Sequence, residues 1–469
     1  MRLFSHLAIK RFTNLSFNDI IAVERTLLQK EIVSQSKNSK SNNGGHMVRK
    51  TKLKISIISL ILLCAMTLNL TGCVMPVQAE SLMDGVVPNK IIVSDDMDAG
   101  NAAVTDFALR LFKATSKDGQ STLISPLSVI YALAMTANGA GGETLKQMEN
   151  VLGVSLDELN LYLYSYMYSL PQGDKYKLNL ANSIWFKEDD AFKVVDAFLQ
   201  KNADYYGADI YSSDFNEQTL RDINNWVKRE TDGMIPKVLD RIPDDAIMYL
   251  INALAFEAEW ADIYEHHQVK DGNFTDENGN AKAVELMYCT EYKYLEDDNA
   301  KGFIKYYNGR KYAFAALLPD EGITISDYLD SLDGESLYAM LSGVKNATVR
   351  TAIPKFEIEY STSLAGSLAA MGMNDAFSAE LADFSGIGEY GDEYFDGNVY
   401  IGDVIHKTFI QVGEKGTKAG AVTAIQMVGA MDPGQDEIKE VYLDRPFVYM
   451  LIDCENNVPF FIGTMMSVD

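Results

Sequence analysis

The sequence predicts an α+β protein built around one large core. Helical spacing dominates the first part of the globular region and strand-like runs dominate the last part, without regular alternation. No linker, repeat or low-complexity break interrupts the chain after about Asn101. With 469 residues, 47% of them hydrophobic, the chain is long enough to bury an extensive interior.

The elements follow in order. Ala102–Lys113 carries Val104, Phe107, Ala108 and Leu111 at helical spacing. Ser125-Pro126 is a strong helix start, because serine accepts from orphan N–H groups and proline is pre-set for the first turn. The helix it opens places Leu127, Ile130, Leu133 and Ala134 on one face, with Gly139 beyond its end. Leu145, Met148 and Leu152 mark a third helix, Leu156–Leu170 a fourth, and Leu220–Thr231 a fifth carrying Ile223 and Trp226. Between them Tyr176, Leu178 and Leu180 alternate with polar residues, as a half-buried strand does. Ala246–Phe256 is apolar except for Asn252, which suits a strand covered on both faces. Phe303–Leu318 reads as a hairpin turning at Asn308-Gly309. Further strands are expected at Val349–Glu359, Tyr400–Val412, Phe447–Ile452 and Pro459–Met465, the last two flanking a turn at Glu455–Asn457.

The start of the chain reads as an address. Arg49, Lys50, Lys52 and Lys54 precede an apolar run from Ile55 to Leu70, the pattern of an export signal and short for a membrane span. The run ends in Leu70-Thr71-Gly72-Cys73, which resembles the lipobox of bacterial lipoproteins, with Cys73 as the lipidated residue. The other reading is an ordinary secretory signal cut after Val77-Gln78-Ala79. On this division residues 1–46 are a mis-assigned extension with Met47 as the initiator, 47–72 the signal, 73–100 a tether and 101–469 the domain. The expected location is therefore extracellular, either anchored at the cell surface or secreted, with membrane contact only through the lipid.

Charge and motif content exclude several functions. Lys+Arg number 41 against 66 Asp+Glu, for a formal charge of −25. Residues 1–72 hold 11 of the basic and 3 of the acidic residues, so the remainder is near −33. Nucleic-acid binding is excluded, because phosphate neutralisation needs clustered cations. The same shortage of clusters argues against activation by a sulfated polysaccharide. From Cys73 onward the only histidines are His266, His267 and His406, and no G-x-S-x-G nucleophile motif occurs. Adjacent His266 and His267 lack an H-E-x-x-H frame, and Cys289 and Cys454 lack C-x-x-C spacing, so no metal site and no cofactor are expected. The sequence leaves open whether those two cysteines are free or bonded. Enzyme chemistry finds no place here.

One segment stands apart. Val412 to Ile425 follows a strand and is crowded with small residues: Gly416, Ala419, Gly420, Ala421 and Ala424. Thr417, Ala419, Ala421 and Thr423 fall at period two, so one face would be uniformly small if the segment became a strand. Lys418 falls on the other face, and Gly416 supplies a pivot. A flexible surface loop would explain the small residues alone. A loop able to enter a sheet explains their period.

Several ordered motifs resemble the serpin family over about residues 100–466. They are Ser125-Pro126-Leu127-Ser128, then Ile223-Asn224-Asn225-Trp226-Val227 with Thr231, Gly233 and Ile235, then Asn252 to Trp260. They continue with Val404-Ile405-His406-Lys407, Gly416-Thr417, Pro446-Phe447 and Phe460-Phe461-Ile462-Gly463. The resemblance implies about nine helices on three β-sheets with an exposed reactive-centre loop. It further implies a suicide inhibitor of serine proteases and some cysteine proteases, acting as a monomer. The attacked loop is cleaved and then inserts into the central sheet. On this resemblance Glu414, Gly416, Thr417, Ala419, Ala421 and Thr423 form the hinge. Ser125, Ser128, Asn252 and His406 form the polar shutter beneath the opening sheet, and Trp260 marks the breach where insertion begins. For His406 a buried structural role is the natural one, and for Trp260 simple core packing is the plain alternative.

Counting the family's spacing from Glu414 puts the scissile bond at Ala430-Met431, with Val428 or Met431 as bait if the register slips. Val428-Gly429-Ala430 suits an elastase-like or subtilisin-like protease, and no Lys or Arg between Lys418 and Lys439 serves a trypsin-like one. The chain departs from the family pattern at Lys418, Gly420 and Glu257-Ala258, and in a longer acidic stretch over Met431–Glu440. Gly420 costs strand propensity of about 0.5–1 kcal/mol. No proline or bulky charge falls on the small face. The competing readings are a binding protein that keeps the fold without inhibiting, and a secreted hydrolase that the missing nucleophile motif disfavours.

Overall fold

The computed structural model describes residues 77–468, except 94–96, 172, 190–191, 243–247, 391–398 and 418–437. The side chains of residues 252, 253, 389 and 390 are likewise outside the description. The extension, the export signal and Cys73 therefore lie outside the described residues.

Nine α-helices occur among the described residues. In chain order they are α1 (Asp98–Thr115), α2 (Pro126–Ala137), α3 (Gly142–Leu152), α4 (Leu156–Ser169), α5 (Asp196–Tyr206) and α6 (Glu217–Glu230), followed by α7 (Ile325–Ser331), α8 (Gly334–Ser342) and α9 (Ala365–Ala370). The strands begin with β1 (Glu80–Ser81), β2 (Thr122–Ile124), β3 (Tyr176–Lys187), β4 (Phe192–Val194), β5 (Asp209–Ser213) and β6 (Met248–Glu259). They continue with β7 (Val269–Thr275), β8 (Ala281–Glu296), β9 (Ala300–Tyr306), β10 (Tyr312–Pro319), β11 (Lys345–Pro354) and β12 (Phe356–Ser363). The last are β13 (Gly388–Tyr390), β14 (Ile405–Gly413), β15 (Gly416–Thr417), β16 (Lys439–Tyr442), β17 (Phe447–Asp453) and β18 (Val458–Met465).

Among the described residues the strands form three sheets. A seven-stranded sheet has the order β1-β5-β3-β6-β15-β14-β12. A nine-stranded one runs β16-β11-β8-β9-β10-β17-β18-β2, with β7 paired to β8. β13 and β4 make a small pair. Every residue of α2 is buried, so this helix, apolar all round, lies inside the molecule. The serine–proline start performs as capping chemistry requires: Ser125 Oγ accepts from the Ser128 N–H. Asn216 caps α6 in the same way, accepting from the Gln218 and Thr219 N–H groups. Across one face of the seven-stranded sheet α6 buries Ile223, Trp226 and Val227 against Trp185, Tyr211, Tyr249 and Ile251, a second core apart from the main one.

Most sequence-predicted elements recur with shifted ends, and three differ in kind. The run Val349–Glu359 is two strands, not one: β11 belongs to the nine-stranded sheet and β12 to the seven-stranded sheet, with Lys355 at the crossing. Residues 400–404 are not strand; Ile401 N–H bonds Ala376 O, and Val404 O accepts from Leu364 N–H, so the chain is held by loop contacts before β14 begins. The third difference concerns the stretch read as a tether. Its described part is bonded to the domain: β1 pairs with β5, and the Gln78 and Ala79 N–H groups donate to Asp222 Oδ2 at 3.0 and 3.2 Å. Asn89 donates from its backbone to Asp204 Oδ1 at 2.7 Å. A two-residue edge strand has no period to read, which is why the sequence shows only an aperiodic segment.

The registers fix the two ends of the seven-stranded sheet. Ala258, Tyr176 and Gly416 lie at one end, whereas Met248, Phe186 and Ile405 lie at the other. Ten residues of β6 separate Ala258 from Met248, about 33 Å of extended chain. Asp222 is buried beside the end where Met248 lies, so Asp222→Ala leaves two backbone donors without their acceptor. A loss of about 1–3 kcal/mol in thermal or urea unfolding is expected, with faster tryptic cleavage at the exposed Lys90.

Candidate functional site

The segment expected to act as the hinge emerges from β14 through a tight turn. Gly413 pairs with Gly416 and Val412 with Thr417, and on the other flank Gly416 and Thr417 pair with Glu259 and Ala258. β15 therefore stands between β14 and β6. Gly416 has φ +149°, and a Cβ there would lie 2.0 Å from Ala258 O, so only glycine fits. Thr417 is buried, and its hydroxyl shares a short hydrogen bond with the Tyr307 hydroxyl. Burial raises the Tyr307 pKa far above the ordinary phenol, so the group stays protonated and available to donate.

Glu414 closes the turn from outside. Its carboxylate pairs with the Lys355 ammonium, which also reaches Glu285 Oε2 at 3.0 Å. Partial burial alone would raise the Glu414 carboxyl, but the bond from Lys355 prevails and holds it below its ordinary pKa. The same balance, reversed, holds the Lys355 ammonium above its own: burial lowers it, and the two carboxylates more than compensate. Lys355 is the residue at which the chain crosses between sheets, so this ion pair ties the crossing to the hinge.

Trp260 grips the turn from beneath. Its indole is buried and stacks on Tyr307 with centroids 4.4 Å apart and planes at 8°. The indole Nε1–H donates to Gly413 O at 2.8 Å, and the Trp260 backbone N–H to Lys415 O at 2.8 Å. The Tyr264 N–H donates to Glu414 O at 2.9 Å. The turn is thus held through three consecutive carbonyls.

A polar group lies toward the other end of the sheet. The Ser125 N–H donates to His406 Nε2 at 3.0 Å, so that nitrogen carries no proton. Burial pushes the His406 imidazole down to about 4, keeping it neutral. Ser125 Oγ meanwhile caps α2 through Ser128, and Thr408 Oγ1 donates to Leu123 O at 2.8 Å. The structure thus joins Ser125, Ser128 and His406 through the Ser125 backbone and cap. Asn252 lies on β6 opposite Asn182, with its side chain outside the described residues. Ala419, Ala421, Thr423, Ala430 and Met431 also lie outside them. The described chain resumes at Ile438, and β16 then pairs parallel with β11 from Val349–Lys439 to Ala352–Tyr442.

Sequence reasoning missed Lys355, Tyr307, Tyr264 and Thr408. None sits in a motif: Tyr307 and Thr408 reach the site through sheet register, Lys355 from the crossing between β11 and β12, and Tyr264 from the loop that follows β6. His266 and His267 form an exposed short turn, Cys289 and Cys454 are free, and no metal-binding cluster occurs among the described residues.

The buried histidine sets a pH dependence. His406 has a folded pKa of about 4 against an ordinary 6.5, so the unfolded chain binds the extra proton between those values. Stability is fully present above about pH 6.5 and falls by up to about 3 kcal/mol as the pH drops to about 4. His406→Gln keeps an acceptor for Ser125 without a titrating group, and is expected to flatten this part of a stability–pH curve. At the hinge, Gly416→Ala is expected to cost about 1–3 kcal/mol in thermal unfolding, from strained φ and contact with Ala258 O.

Comparison with known proteins gives one consistent result. The model of the family "Serpin (serine protease inhibitor)" matches residues 102–468. A serpin-like protein of Thermococcus kodakarensis is 29% identical over 374 residues, covering 78% of this chain and 85% of that protein. Human leukocyte elastase inhibitor is 28% identical over 389 residues, covering 79% of this chain and all of the relative. Among solved structures, the thermophilic serpin tengpin in its native state is 46% identical with a TM-score of 0.79, over 84% of this chain and all of the other. Tengpin in its latent state gives 44% identity and a TM-score of 0.71, over 81% of this chain and again all of the other. From the helix-first order of its elements to the family model that spans residues 102–468, this chain belongs to the serpin family, which is one of protease inhibitors and not of enzymes.

Proposed function

We propose that this chain is an inhibitory serpin that traps an elastase-like or subtilisin-like serine protease as a suicide substrate. The observation that carries the reading is the position of Gly416 and Thr417 between β6 and β14, and the small residues Ala419, Ala421 and Thr423 follow Thr417 at period two in the sequence. A protease serine attacks the Ala430 carbonyl, the Met431 amine leaves, and the chain remains esterified through Ala430. The freed hinge then continues the strand that β15 has begun.

Reach supports this. Thirteen residues from Thr417 to Ala430 extend to about 43 Å, more than the about 33 Å of β6 between Ala258 and Met248. Each residue entering the seam gains ladder hydrogen bonds worth about 1 kcal/mol net apiece. The named inhibitors among the relatives, including the leukocyte elastase inhibitors, agree with the small residues before the proposed bond. The protein is proposed to act as a monomer outside the cell, held by a lipid on Cys73 or released after signal cleavage. A binding protein with this fold but no trapping activity is the alternative that the experiment addresses.

Mixing the protein with subtilisin or pancreatic elastase is expected to give a complex that survives denaturing electrophoresis. Mass spectrometry of the released C-terminal fragment is expected to begin at Met431. Thr417→Arg would force a guanidinium into the buried site beside Tyr307, and is expected to abolish trapping while leaving the loop cleavable. Digestion without any complex, and without thermal stabilisation of the cleaved protein, sinks the inhibitory reading.

A further inference from the structure

Against Trp260 lies a buried ion pair that touches none of the residues 413–417. Lys305, on β9, has a side chain only 2% exposed, and its Nζ lies 2.9 Å from Glu291 Oε1 on β8, itself 14% exposed. The same ammonium donates to Asp262 O at 3.2 Å. It sits 4.4 Å from the centre of the Tyr264 ring and 5.4 Å from that of Trp260. Cys289 Sγ is 3.7 Å away and also contacts Tyr264, Glu291 and Thr351. Burial raises the Cys289 thiol, so it is a weak nucleophile and serves here as packing.

Stability alone does not account for such a pair. Taking two charges out of water costs several kcal/mol per ion, and well-packed apolar residues commonly do as well. Lys305 does what an apolar residue cannot: it holds the Asp262 carbonyl and attracts the faces of two rings at once. Those rings belong to Trp260 and Tyr264, whose N–H groups grip Gly413, Glu414 and Lys415. Burial would lower the Lys305 pKa, and the nearby Glu291 carboxylate overrides it, so the ammonium stays charged.

We propose that the Lys305–Glu291 pair is a positioning element of the hinge, fixing the 260–264 segment so that Gly416 and Thr417 stay seated as the first rung of the inserting strand. This rests on the inhibitory reading, because a seated first rung matters when insertion must outrun hydrolysis of the acyl-enzyme. Lys305 touches neither the loop nor the protease, and acts through Trp260 and Tyr264.

The test uses the full chain carrying E291Q/K305M, which removes both charges at near-constant size. K305M alone would strand a buried carboxylate and risk misfolding. Thermal unfolding first establishes that the double variant folds. Hydrogen exchange is then expected to show about tenfold or greater loss of protection at residues 260–264 and 413–417, with β10 and β17 unchanged. With subtilisin, the moles of inhibitor consumed per protease trapped are expected to rise several-fold, while the association rate stays the same. Unchanged protection at 413–417 in a folded variant overturns the proposal. So does lost protection with unchanged stoichiometry, which would make the clamp irrelevant to insertion. Should the unmutated protein trap no protease, the inhibitory reading fails, and exchange alone decides whether the pair positions the hinge.

Discussion

A β-strand's N–H and C=O groups demand partners on both flanks. Along the seam between β6 and β14, the described residues supply an intervening strand only at Gly416 and Thr417. Much of the surrounding detail follows from keeping that seam ordered at one end. Gly416 is required because a side chain there would strike Ala258 O, and Thr417 because its hydroxyl satisfies a buried phenol. Lys355 closes the outside of the turn and Trp260 the inside. The polar grip on one short turn is dense because three carbonyls in sequence need donors, and the 260–264 segment provides them.

The layering around the sheet serves the same end. The main core lies among α2, the nine-stranded sheet and one face of the seven-stranded sheet, while α6 covers its own smaller cluster on the other face. Polar contacts hold α6 around this cluster. Trp226 Nε1 donates to Asp209 Oδ2 at 2.7 Å, and Lys177 pairs with Asp232 just beyond the helix. The Trp226 bond is charge-assisted and its indole buried, whereas the exposed Lys177–Asp232 pair is worth little and is readily exchanged with water. On the inhibitory reading proposed above, a helix held on a separate small core could shift without opening the interior as the sheet gains a strand beneath it.

Elements with local chemistry were legible in the sequence. The Ser125-Pro126 helix start and the Asn308-Gly309 turn each follow from the conformational preferences of the residues themselves. The break at Lys355 was not legible, because an unbroken β-prone run does not reveal that its halves join different sheets. Tyr307, Lys305 and Glu291 were invisible for a related reason: their roles arise from register across three strands, and their own neighbours look ordinary. The docking of residues 77–89 escaped because two ladder residues and a few bonds to carboxylates leave no pattern in composition.

That docking has a geometrical consequence. Val77 enters the described fold beside Asp222, at the end of the seven-stranded sheet remote from the hinge, and β1 runs antiparallel to β5 from there. Gly416 and Thr417 thus lie about 33 Å of extended strand from the end of the sheet where Val77 enters. On the mechanism proposed above, an enzyme carried the length of the sheet would finish at the end where Val77 enters. On that same mechanism captured cargo would travel from the hinge end to the Val77 end, giving a copy immobilised there a direction as well as a target.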